Sequence, residues 1–258
     1  MTSYSSCDGV SNAMIQAAGL GTRLRPLTES TPKPLLQING QSLLERAIDT
    51  LEAAGVKKLA VNTHYLPDQI TFCLNKRSSP EIYISHEDKL LDTGGGIKQA
   101  CDYLPEDQPL FCLSSDWYWE DKQEVAHIFK DMAGQWDERE MDILLLLVPR
   151  KALRLTSASG DYDLDDKNTP CRALRKQGDY MWTSVRLMHP RVFENTAEGA
   201  FSFLDILDAC EAQGRLKACC LDFEQGGRWH HISTLKDYNR VISSADEIKQ
   251  DNACKSHG

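Results

Sequence analysis

Short apolar segments alternate with amphipathic segments along the first part of this chain. The apolar segments predict strands over residues 13–18, 57–62, 81–85, 110–114 and 141–148. Between them, apolar residues at helical spacing predict helices over residues 42–54, 67–74, 96–104 and 120–133. Strands that alternate with helices at this pace are typical of βαβ units, in which the strands lie parallel. The pattern therefore predicts an α/β fold built on an open, mostly parallel sheet.

The second part of the chain is less regular. Polar turns fill residues 149–177, and they are followed by a predicted strand, helix, short strand and final helix over residues 180–188, 202–212, 229–232 and 234–243. No stretch has the composition of a linker, and no internal repeat is present. We therefore expect a single domain over residues 13–247, between flexible tails over residues 1–12 and 248–258.

The composition excludes several classes of protein. The 258 residues include 29 Lys and Arg against 38 Asp and Glu, a net charge of −9, whereas a protein that coats DNA or RNA needs a basic surface. The longest apolar run, residues 143–148, is far shorter than the roughly 20 residues of a membrane span. Residues 1–12 lack the apolar core of a signal peptide, and nine cysteines without a CxxC pair indicate reduced thiols. We expect a cytoplasmic protein with no nucleic-acid or membrane partner.

A glycine-rich loop follows the first predicted strand and carries the strongest functional signal. It reads AAGLGTRLRPLTESTPKPL over residues 17–35. Backbone amides in such a loop approach a phosphate closely, and Arg23 and Lys33 add the positive charge that phosphate oxygens attract. The small side chains of Ala17 and Ala18 leave room for a flat group at the strand end. The loop is neither a P-loop, which needs GxxxxGK, nor a dinucleotide fingerprint, which needs a third glycine.

This loop resembles the signature of the sugar-phosphate nucleotidyltransferases, through GLGTRLRPLTESTPKPL over residues 19–35. A second string, LDTGGGI over residues 91–97, resembles the LETGGGI string of N-acetylmuramate 1-phosphate uridylyltransferases. The first loop is also similar to that of mannose 1-phosphate guanylyltransferases. The resemblance implies a doubly wound, Rossmann-like α/β sheet that binds nucleotide at the carboxyl ends of its first strands. It divides the domain into a nucleotide half, about residues 13–120, and an irregular sugar half, about residues 121–247.

Enzymes of this family condense a nucleoside triphosphate with a sugar 1-phosphate and release pyrophosphate. The resemblance implies uridylyl transfer to N-acetylmuramate 1-phosphate as the first choice, with guanylyl transfer to mannose or heptose phosphate as the alternative. A non-catalytic nucleotide-binding relative is a further alternative, because several positions depart from the family pattern. The implied partners are the two substrates, and no particular oligomeric state is predicted.

The resemblance also implies roles for individual residues. The residues that would bind the nucleotide are Ala17, Ala18, Gly19, Gly21, Thr22, Thr93, Gly94 and Gly95. The candidate catalytic residues are Arg23, which would neutralise the leaving pyrophosphate, and Lys33, which would bridge the α-phosphate and the attacking phosphate. Transfer between two anions needs mainly positioning and charge neutralisation, which such groups supply. Thr93 is also expected to cap the helix that follows it.

Two positions imply a magnesium site. Asp116 follows the strand at residues 110–114, where the family places a magnesium-binding aspartate. The segment WHHIST, residues 229–234, resembles a family W-x-D-V-G-T segment and puts His231 at the position of a second aspartate. Carboxylate oxygens suit Mg²⁺, whereas imidazole suits softer ions, so Mn²⁺ is the alternative cofactor. The adjacent His230 is expected to be structural.

The residues expected to bind the sugar are Ser114, Gly160 and Asp161. Ser114 stands where the family often has asparagine, and GDYDL at residues 160–164 resembles a GDFxL segment that lies near the sugar in these relatives. In residues 180–185, Met181 and Ser184 replace the threonine and the glycine of a family T-Y-A-G-I strand. These departures leave the identity of the sugar open.

Overall fold

The structure, a computed structural model, describes residues 9–156, 159–166 and 169–255. The α-helices are α1 (Leu43–Ala54), α2 (Pro67–Leu74), α3 (Asp92–Cys101), α4 (Lys122–Gln135), α5 (Phe203–Ala212), α6 (Phe223–Gly227) and α7 (Leu235–Lys255). The strands are β1 (Asn12–Gln16), β2 (Gln37–Ile38), β3 (Gln41–Ser42), β4 (Lys58–Thr63), β5 (Glu81–His86), β6 (Leu110–Ser114), β7 (Trp117–Trp119), β8 (Ile143–Pro149), β9 (Tyr162–Leu164), β10 (Pro170–Arg172), β11 (Tyr180–Met188), β12 (Leu216–Cys220) and β13 (Trp229–His231).

Nine of these strands form one sheet, and β1 lies in its interior. β1 pairs in parallel with β4 on one side and with β6 on the other, and β5 extends the sheet beyond β4, again in parallel. Beyond β6, β11 runs antiparallel between β6 and β8, and β12 pairs in parallel with β8. The β9–β10 hairpin joins one end of β11. The predicted α/β architecture with a mostly parallel sheet is confirmed.

Helices cover both faces of this sheet, so the fold is doubly wound, as the resemblance implied. Successive residues of a strand point to opposite faces. In β1, Ala13 and Ile15 join the core that packs α1 and α4, whereas Met14 joins the core that packs α3 and α5. A strand buried on both faces needs a continuous apolar run, which is why the interior strands are recognisable in the sequence.

The boundaries of α1 follow from its local sequence. The Ser42 hydroxyl accepts a hydrogen bond from the backbone N–H of Glu45 at 3.2 Å, and the Glu45 carboxylate accepts one from the N–H of Ser42 at 3.0 Å. This reciprocal capping box satisfies two backbone donors at the start of the helix. At the other end, Gly55 has a φ of 107°, a left-handed conformation that glycine adopts without steric cost.

Three sequence-based boundaries are corrected. The helix predicted over residues 96–104 begins at Asp92, because tertiary contacts stabilise a first turn whose glycines disfavour helix. The final helix does not end at residue 243. It continues as α7 to Lys255, into the segment expected to be a tail, because Lys, Glu, Gln and Ala propagate a helix that is already nucleated. At the N-terminus, residues 1–8 of the expected tail lie outside the described residues, and Asn12 already pairs in β1.

Strands β7 and β12 are among six described strands that were not predicted; the others are β2, β3, and the β9 and β10 that lie within the residues expected to form polar turns. β7 has only three residues, and it is held by pairing with β13 from the far end of the chain rather than by any local pattern. β12 forms the edge of the main sheet, and its pairing with β8 joins segments that are distant in the sequence. Both strands therefore depend on long-range pairing that a single sequence does not display.

The described part of the chain has neither a membrane-spanning helix nor a disulfide. No helix there combines the length and the apolar composition needed to cross a bilayer. The cysteines with described side chains are all free, namely Cys73, Cys101, Cys112, Cys171, Cys210, Cys219 and Cys220.

Candidate active site

The carboxyl ends of β1, β4, β5 and β6 meet at one edge of the sheet. These four strands are mutually parallel, so the segments that follow them lie side by side. In open α/β sheets, ligands bind in the crevice outside such strand ends. This arrangement brings together Lys33 and Asp116, which are 83 positions apart in the chain.

The loop after β1 is held open by a left-handed glycine. Gly21 has a φ of 64°, and its carbonyl accepts a hydrogen bond from the Thr28 hydroxyl at 2.8 Å. A Cβ at Gly21 would lie 3.0 Å from the Thr28 side chain and 3.2 Å from the Lys33 Cβ, so the turn also needs the small residue for space. Gly19 has open space around it, and Thr22 is exposed at the start of a short 3₁₀ turn. The loop thus presents backbone to solvent at the edge of the sheet.

Ala17 and Ala18 lie at the base of this loop, directly after β1, and both are buried. The backbone N–H of Ala17 donates a 2.7 Å hydrogen bond to the Asn62 side chain at the end of β4. The start of the loop is therefore fixed to the neighbouring strand. The expected contact of Ala17 and Ala18 with a flat group of the nucleotide stays a prediction.

Arg23 and Arg25 on the loop are exposed, and neither makes an ion pair with another described residue. Two adjacent cations without carboxylate partners give the loop a local positive charge in a chain whose net charge is −9. Such a region attracts a polyanionic ligand. The expected contact of Arg23 with a phosphate stays a prediction.

Lys33 points inward and forms a cluster with Asp116 and His231. Its ammonium group lies 2.8 Å from Asp116 Oδ2, and His231 Nε2 lies 3.2 Å from the same oxygen. Ser114, the last residue of β6, donates a hydrogen bond to the other Asp116 oxygen. Four of the predicted site residues, from the catalytic, metal and sugar groups, therefore meet around one carboxylate.

A small two-stranded ribbon carries His231 into the cluster. β13 pairs antiparallel with β7, which places His231 opposite Trp117, and the N–H of Ile232 donates to the Asp116 carbonyl at 2.7 Å. The ring of Trp229 stacks on that of His231. Because successive residues face opposite sides of the ribbon, His230 points away from the cluster and lies 2.8 Å from Glu120, as expected for a structural histidine.

The electrostatics of the cluster keep Asp116 ionised. Burial by itself would raise the pKa of the Asp116 carboxyl. The charges of Lys33 and His231, together with hydrogen bonds from both, lower this pKa well below its usual value. A hard carboxylate oxygen is a ligand that a divalent cation accepts, and in this structure it binds the Lys33 ammonium. In the described residues, no group of three or more His, Cys, Asp or Glu side chains is placed to hold a metal ion.

Thr93, Gly94 and Gly95 form the first turn of α3 and pack against the segment that precedes α5. A Cβ at Gly94 would lie 2.3 Å from the ring of Phe201, and one at Gly95 would lie 2.1 Å from the carbonyl oxygen of Gly199. The N–H of Gly94 donates to the Phe201 carbonyl at 2.8 Å. The glycines are therefore required by packing, and their expected contact with a nucleobase stays a prediction.

The expected helix cap at Thr93 is wrong. The helix begins at Asp92, and the Thr93 hydroxyl instead accepts a 2.9 Å hydrogen bond from the backbone N–H of Phe203 at the start of α5. This bond ties the two helix starts together. Sequence spacing alone could not indicate it, because the two residues are 110 positions apart.

Gly160 and Asp161 lie in the β9 region and make no hydrogen bond or ion pair to the Lys33–Asp116–His231 cluster in the described structure. A Cβ at Gly160 would lie 1.9 Å from the Gly178 carbonyl oxygen, so this glycine allows two backbones to approach closely. The Asp161 carboxylate accepts from the Trp182 N–H at 3.1 Å and from the Ser159 hydroxyl at 2.9 Å. Both residues brace β11, and their expected contact with a sugar stays a prediction.

The family departures in β11 have structural consequences. Ser184, at the position of the family glycine, has a φ of 67°, a conformation that costs a non-glycine residue energy. It lies where the register of β11 against β8 shifts between Trp182 and Arg186. Met181 is buried in the core, in agreement with a packing role.

Two buried polar residues at this edge of the sheet were missed by the sequence analysis, Asn62 and Glu87. Each lies at the carboxyl end of a parallel strand, β4 and β5. The signal that could have found them is this position, because polar residues that follow interior parallel strands gather at the ligand-binding edge.

Comparison with known proteins decides the family. Residues 12–154 match the family model described as Nucleotidyl transferase. The chain is also 33% identical over 231 residues to the N-acetylmuramate alpha-1-phosphate uridylyltransferase of Caulobacter vibrioides, across 85% of this chain and 90% of the relative. This chain belongs to the nucleotidyl transferase family. The resemblance found in the two sequence strings is therefore confirmed.

Other nucleotidyl transferases match over shorter lengths. The mannose-1-phosphate guanyltransferase of Aspergillus oryzae is 37% identical over 108 residues, which are 40% of this chain and 30% of the relative. The 2-aminoethylphosphonate cytidylyltransferase of Lancefieldella rimae is 38% identical over 103 residues, 39% of this chain and 41% of the relative. The chain thus spans less than half of these two relatives.

Solved structures share the fold. The inositol-1-phosphate CTP transferase from T. maritima superposes with a TM-score of 0.71 at 18% identity, over 93% of this chain and 97% of that protein. A UDP-glucose pyrophosphorylase complexed with UDP-glucose gives a TM-score of 0.72 at 13% identity, over 94% and 99% of the two chains. At these identities the likeness extends to the fold alone.

Proposed function

We propose that this nucleotidyl transferase condenses UTP with N-acetylmuramate 1-phosphate, giving the nucleotide sugar and pyrophosphate. The observation that carries the proposal is the 33% identity to a uridylyltransferase for this sugar phosphate, since the match spans nearly all of both chains. The LDTGGGI string at residues 91–97, which resembles the LETGGGI of such enzymes, adds to it.

The reaction is an in-line displacement at phosphorus. An oxygen of the sugar phosphate attacks the α-phosphorus of the nucleotide, a new P–O bond forms, and the bond to the bridging oxygen of the β-phosphate breaks. The electrons of that bond leave with pyrophosphate. The protein has to bring two anions together and to stabilise the leaving group.

The residues of the site suit these tasks. The backbone from Gly19 to Thr22 would hold the triphosphate, and the exposed, unpaired Arg23 would neutralise the pyrophosphate as it leaves. Lys33 would exchange its bond to Asp116 for the α-phosphate and the attacking phosphate. Because the Lys33 ammonium already lies 2.8 Å from the Asp116 carboxylate, it is held in a fixed place before substrate binds.

A divalent cation fits the same cluster. Asp116 would hold it, and its remaining ligands would be phosphate and water oxygens, a common arrangement for Mg²⁺. The ion would stabilise negative charge on the reacting phosphates. His231, 3.2 Å from the Asp116 carboxylate, would add an imidazole nitrogen, a ligand better suited to a softer ion than Mg²⁺.

The test is a substrate panel. Pyrophosphate release is measured with ATP, CTP, GTP, UTP and dTTP against N-acetylmuramate, mannose, heptose and glucose 1-phosphates, first with Mg²⁺ and then with Mn²⁺. We expect the fastest release with UTP and N-acetylmuramate 1-phosphate. Faster release with GTP and mannose 1-phosphate would replace this proposal by the second candidate, which the guanyltransferase similarity over 108 residues favours. Binding of nucleotide without release for any pair would support a non-catalytic relative.

The role of His231 has its own test. In the His231→Asp variant the cluster regains a second carboxylate, and we expect the ratio of Mg²⁺-supported to Mn²⁺-supported activity to rise about tenfold or more. The His230→Asn variant is the matched control, because His230 points away from the cluster. An unchanged ratio in the His231 variant would remove His231 from the metal site.

A further inference from the structure

Two buried polar side chains connect the loops on either side of the crevice. Asn62 is the last residue of β4 that pairs with β1 and is 4% exposed, and Glu87 follows β5 and is 2% exposed. The Asn62 carboxamide donates a 2.6 Å hydrogen bond to Glu87 Oε1. A carboxylate is rarely buried this deeply unless it has hydrogen-bond partners. The stability of Glu87 in this position therefore depends on its hydrogen bonds.

Each member of the pair also holds the backbone of one loop. The N–H of Ala17, at the base of the glycine-rich loop, donates to Asn62 Oδ1 at 2.7 Å. The N–H of Leu91, just before the first turn of α3, donates to Glu87 Oε2 at 2.9 Å. One unbroken series of hydrogen bonds therefore runs from Ala17 through Asn62 and Glu87 to Leu91.

The third glycine of the LDTGGGI string makes room for this connection. A Cβ at Gly96 would lie 2.4 Å from Glu87 Oε1 and 2.9 Å from the Asn62 amide nitrogen. The glycine thus lies directly against the bond between the two side chains. A larger residue at Gly96 would displace the pair.

The donor and the acceptor of each hydrogen bond in this series are fixed by the groups that meet. Both of its ends are backbone N–H donors, so each side chain must offer an acceptor to its loop, and exactly one hydrogen must lie between the side chains. One carboxamide and one ionised carboxylate meet this requirement. Two carboxamides do not, and two carboxyl groups meet it only when they bind a proton between them. The exchanged order, with the carboxylate at position 62 and the carboxamide at position 87, meets it equally well.

We infer that Asn62 and Glu87 are positioning residues. They set the distance between the glycine-rich loop that begins at Ala17, which would hold the phosphates, and the LDTGGGI segment that begins at Leu91, which would border the base. This inference rests on the proposed function, in which the nucleotide spans these two loops. Neither side chain needs to touch the substrate. The pair acts by holding the glycine-rich loop and the LDTGGGI segment at a fixed distance from each other before the nucleotide binds.

The experiment exchanges the two chemical groups. Three variants are compared with the wild type: Glu87→Gln, Asn62→Asp, and the double variant that carries both changes. Glu87→Gln places donor against donor in a buried position. Asn62→Asp places carboxylate against carboxylate, a pair that is bonded only at the cost of binding a proton. The double variant restores every bond in the exchanged order. Asp142→Asn is the matched control, because Asp142 precedes β8 at the opposite edge of the sheet, where it binds Arg191 and Arg215.

For each variant, KM for both substrates, kcat and the melting temperature are measured with the most active substrate pair. We expect each single variant to raise KM for the nucleotide about tenfold to a hundredfold. We expect KM for the sugar phosphate to change less than twofold, and the double variant to return to within about threefold of the wild type. The Asp142 variant should lower the melting temperature and leave KM for the nucleotide unchanged.

Three results would overturn the inference. Single variants that lose stability but keep the wild-type KM for the nucleotide would show that the pair only supports the fold. A double variant that regains its melting temperature but not its KM would show that Glu87 or Asn62 contacts the nucleotide directly. A KM for the nucleotide that rises equally in the Asp142 variant would show a general loss of stability.

If the wild type releases no pyrophosphate with any pair, the proposed function fails separately. Calorimetric titration with the nucleoside triphosphates then replaces KM by Kd, and the same pattern of single and double variants is expected. A wild type that binds none of these nucleotides, or single variants with an unchanged Kd, would overturn the inference.

Discussion

Replacing Lys33 by methionine tests the central assignment of the site, because methionine keeps an apolar stem and removes the charge. The Lys33 ammonium lies 2.8 Å from Asp116, and the two side chains are 15% and 19% exposed. A hydrogen bond to a charged group contributes about 1.5–3 kcal/mol. Since Asp116 keeps Ser114 and His231 as partners, we expect the free energy of unfolding to fall by about 1–2 kcal/mol. A domain that is stable by about 5–15 kcal/mol stays folded after such a loss.

The same change removes the positive charge that would meet the two reacting phosphates. Loss of one group that stabilises transition-state charge lowers kcat about a hundredfold to a thousandfold. The expected loss of stability lowers the melting temperature by only about 2–8 °C in a chain of this length. We therefore expect the Lys33→Met variant to be almost inactive at temperatures at which it is fully folded.

The assay combines pyrophosphate release with thermal melting followed by circular dichroism. Lys122→Met is the control, because Lys122 is 47% exposed at its side chain and lies 3.6 Å from Asp49, away from the cluster. The control should keep kcat within twofold of the wild type. A Lys33 variant with wild-type kcat, or an equal loss in the control, would refute the catalytic assignment of Lys33.

Three further predictions concern the fold around the site. Gly95→Ala should destabilise the protein by about 1–3 kcal/mol, because its Cβ would lie 2.1 Å from the Gly199 oxygen. The control is Gly134→Ala, which has open space on α4 and should be neutral or stabilising. Urea unfolding of both variants measures the difference. Ser184→Gly should raise the free energy of unfolding by about 0.5 kcal/mol. The backbone strain that is relieved at a φ of 67° exceeds the extra conformational entropy that glycine loses on folding. A destabilised variant in the same assay would contradict this. Burial opposes ionisation of Asp116, but Lys33 and His231 lower the pKa of its carboxyl below the usual value. The contribution of Asp116 to stability is therefore complete above an unfolded-state pKa of about 3.9. It is lost as the pH falls toward the lower folded-state pKa. The Asp116→Asn variant should therefore lose less stability than the wild type between about pH 5 and pH 3, and equal losses in urea unfolding across that range would exclude this contribution.

The interior strands and the helices between them were predictable because each is recognisable from its own residues. β1, β6 and β8 are buried on both faces, so their sequences are nearly continuous apolar runs. α1 carries its own capping box and its own terminating glycine. β7 and β12 have no comparable local signal, because each depends on a partner strand from a distant part of the chain.

The residues of the candidate site also differ in whether the sequence alone could predict them. The residues of the first loop are contiguous, so their spacing alone indicated phosphate binding. The cluster of Lys33, Asp116 and His231 was predictable only through the family resemblance, since these residues come from three separate segments. For Thr93, Gly94 and Gly95 the sequence indicated a ligand loop, but it could not display the Phe201 backbone that the glycines accommodate.

The sequence by itself determined the interior strands and the helices between them, the loop that suits a phosphate, and the family of the chain. These features depend on residues that are close together, whose periodicity and spacing are written in the chain. Tertiary structure alone decided that Asp116 has both Lys33 and His231 within hydrogen-bonding distance, and that Asn62 and Glu87 join two loops. The physical reason is that a parallel sheet brings the ends of distant strands to one edge, and the direction of each buried hydrogen bond depends on which groups meet there.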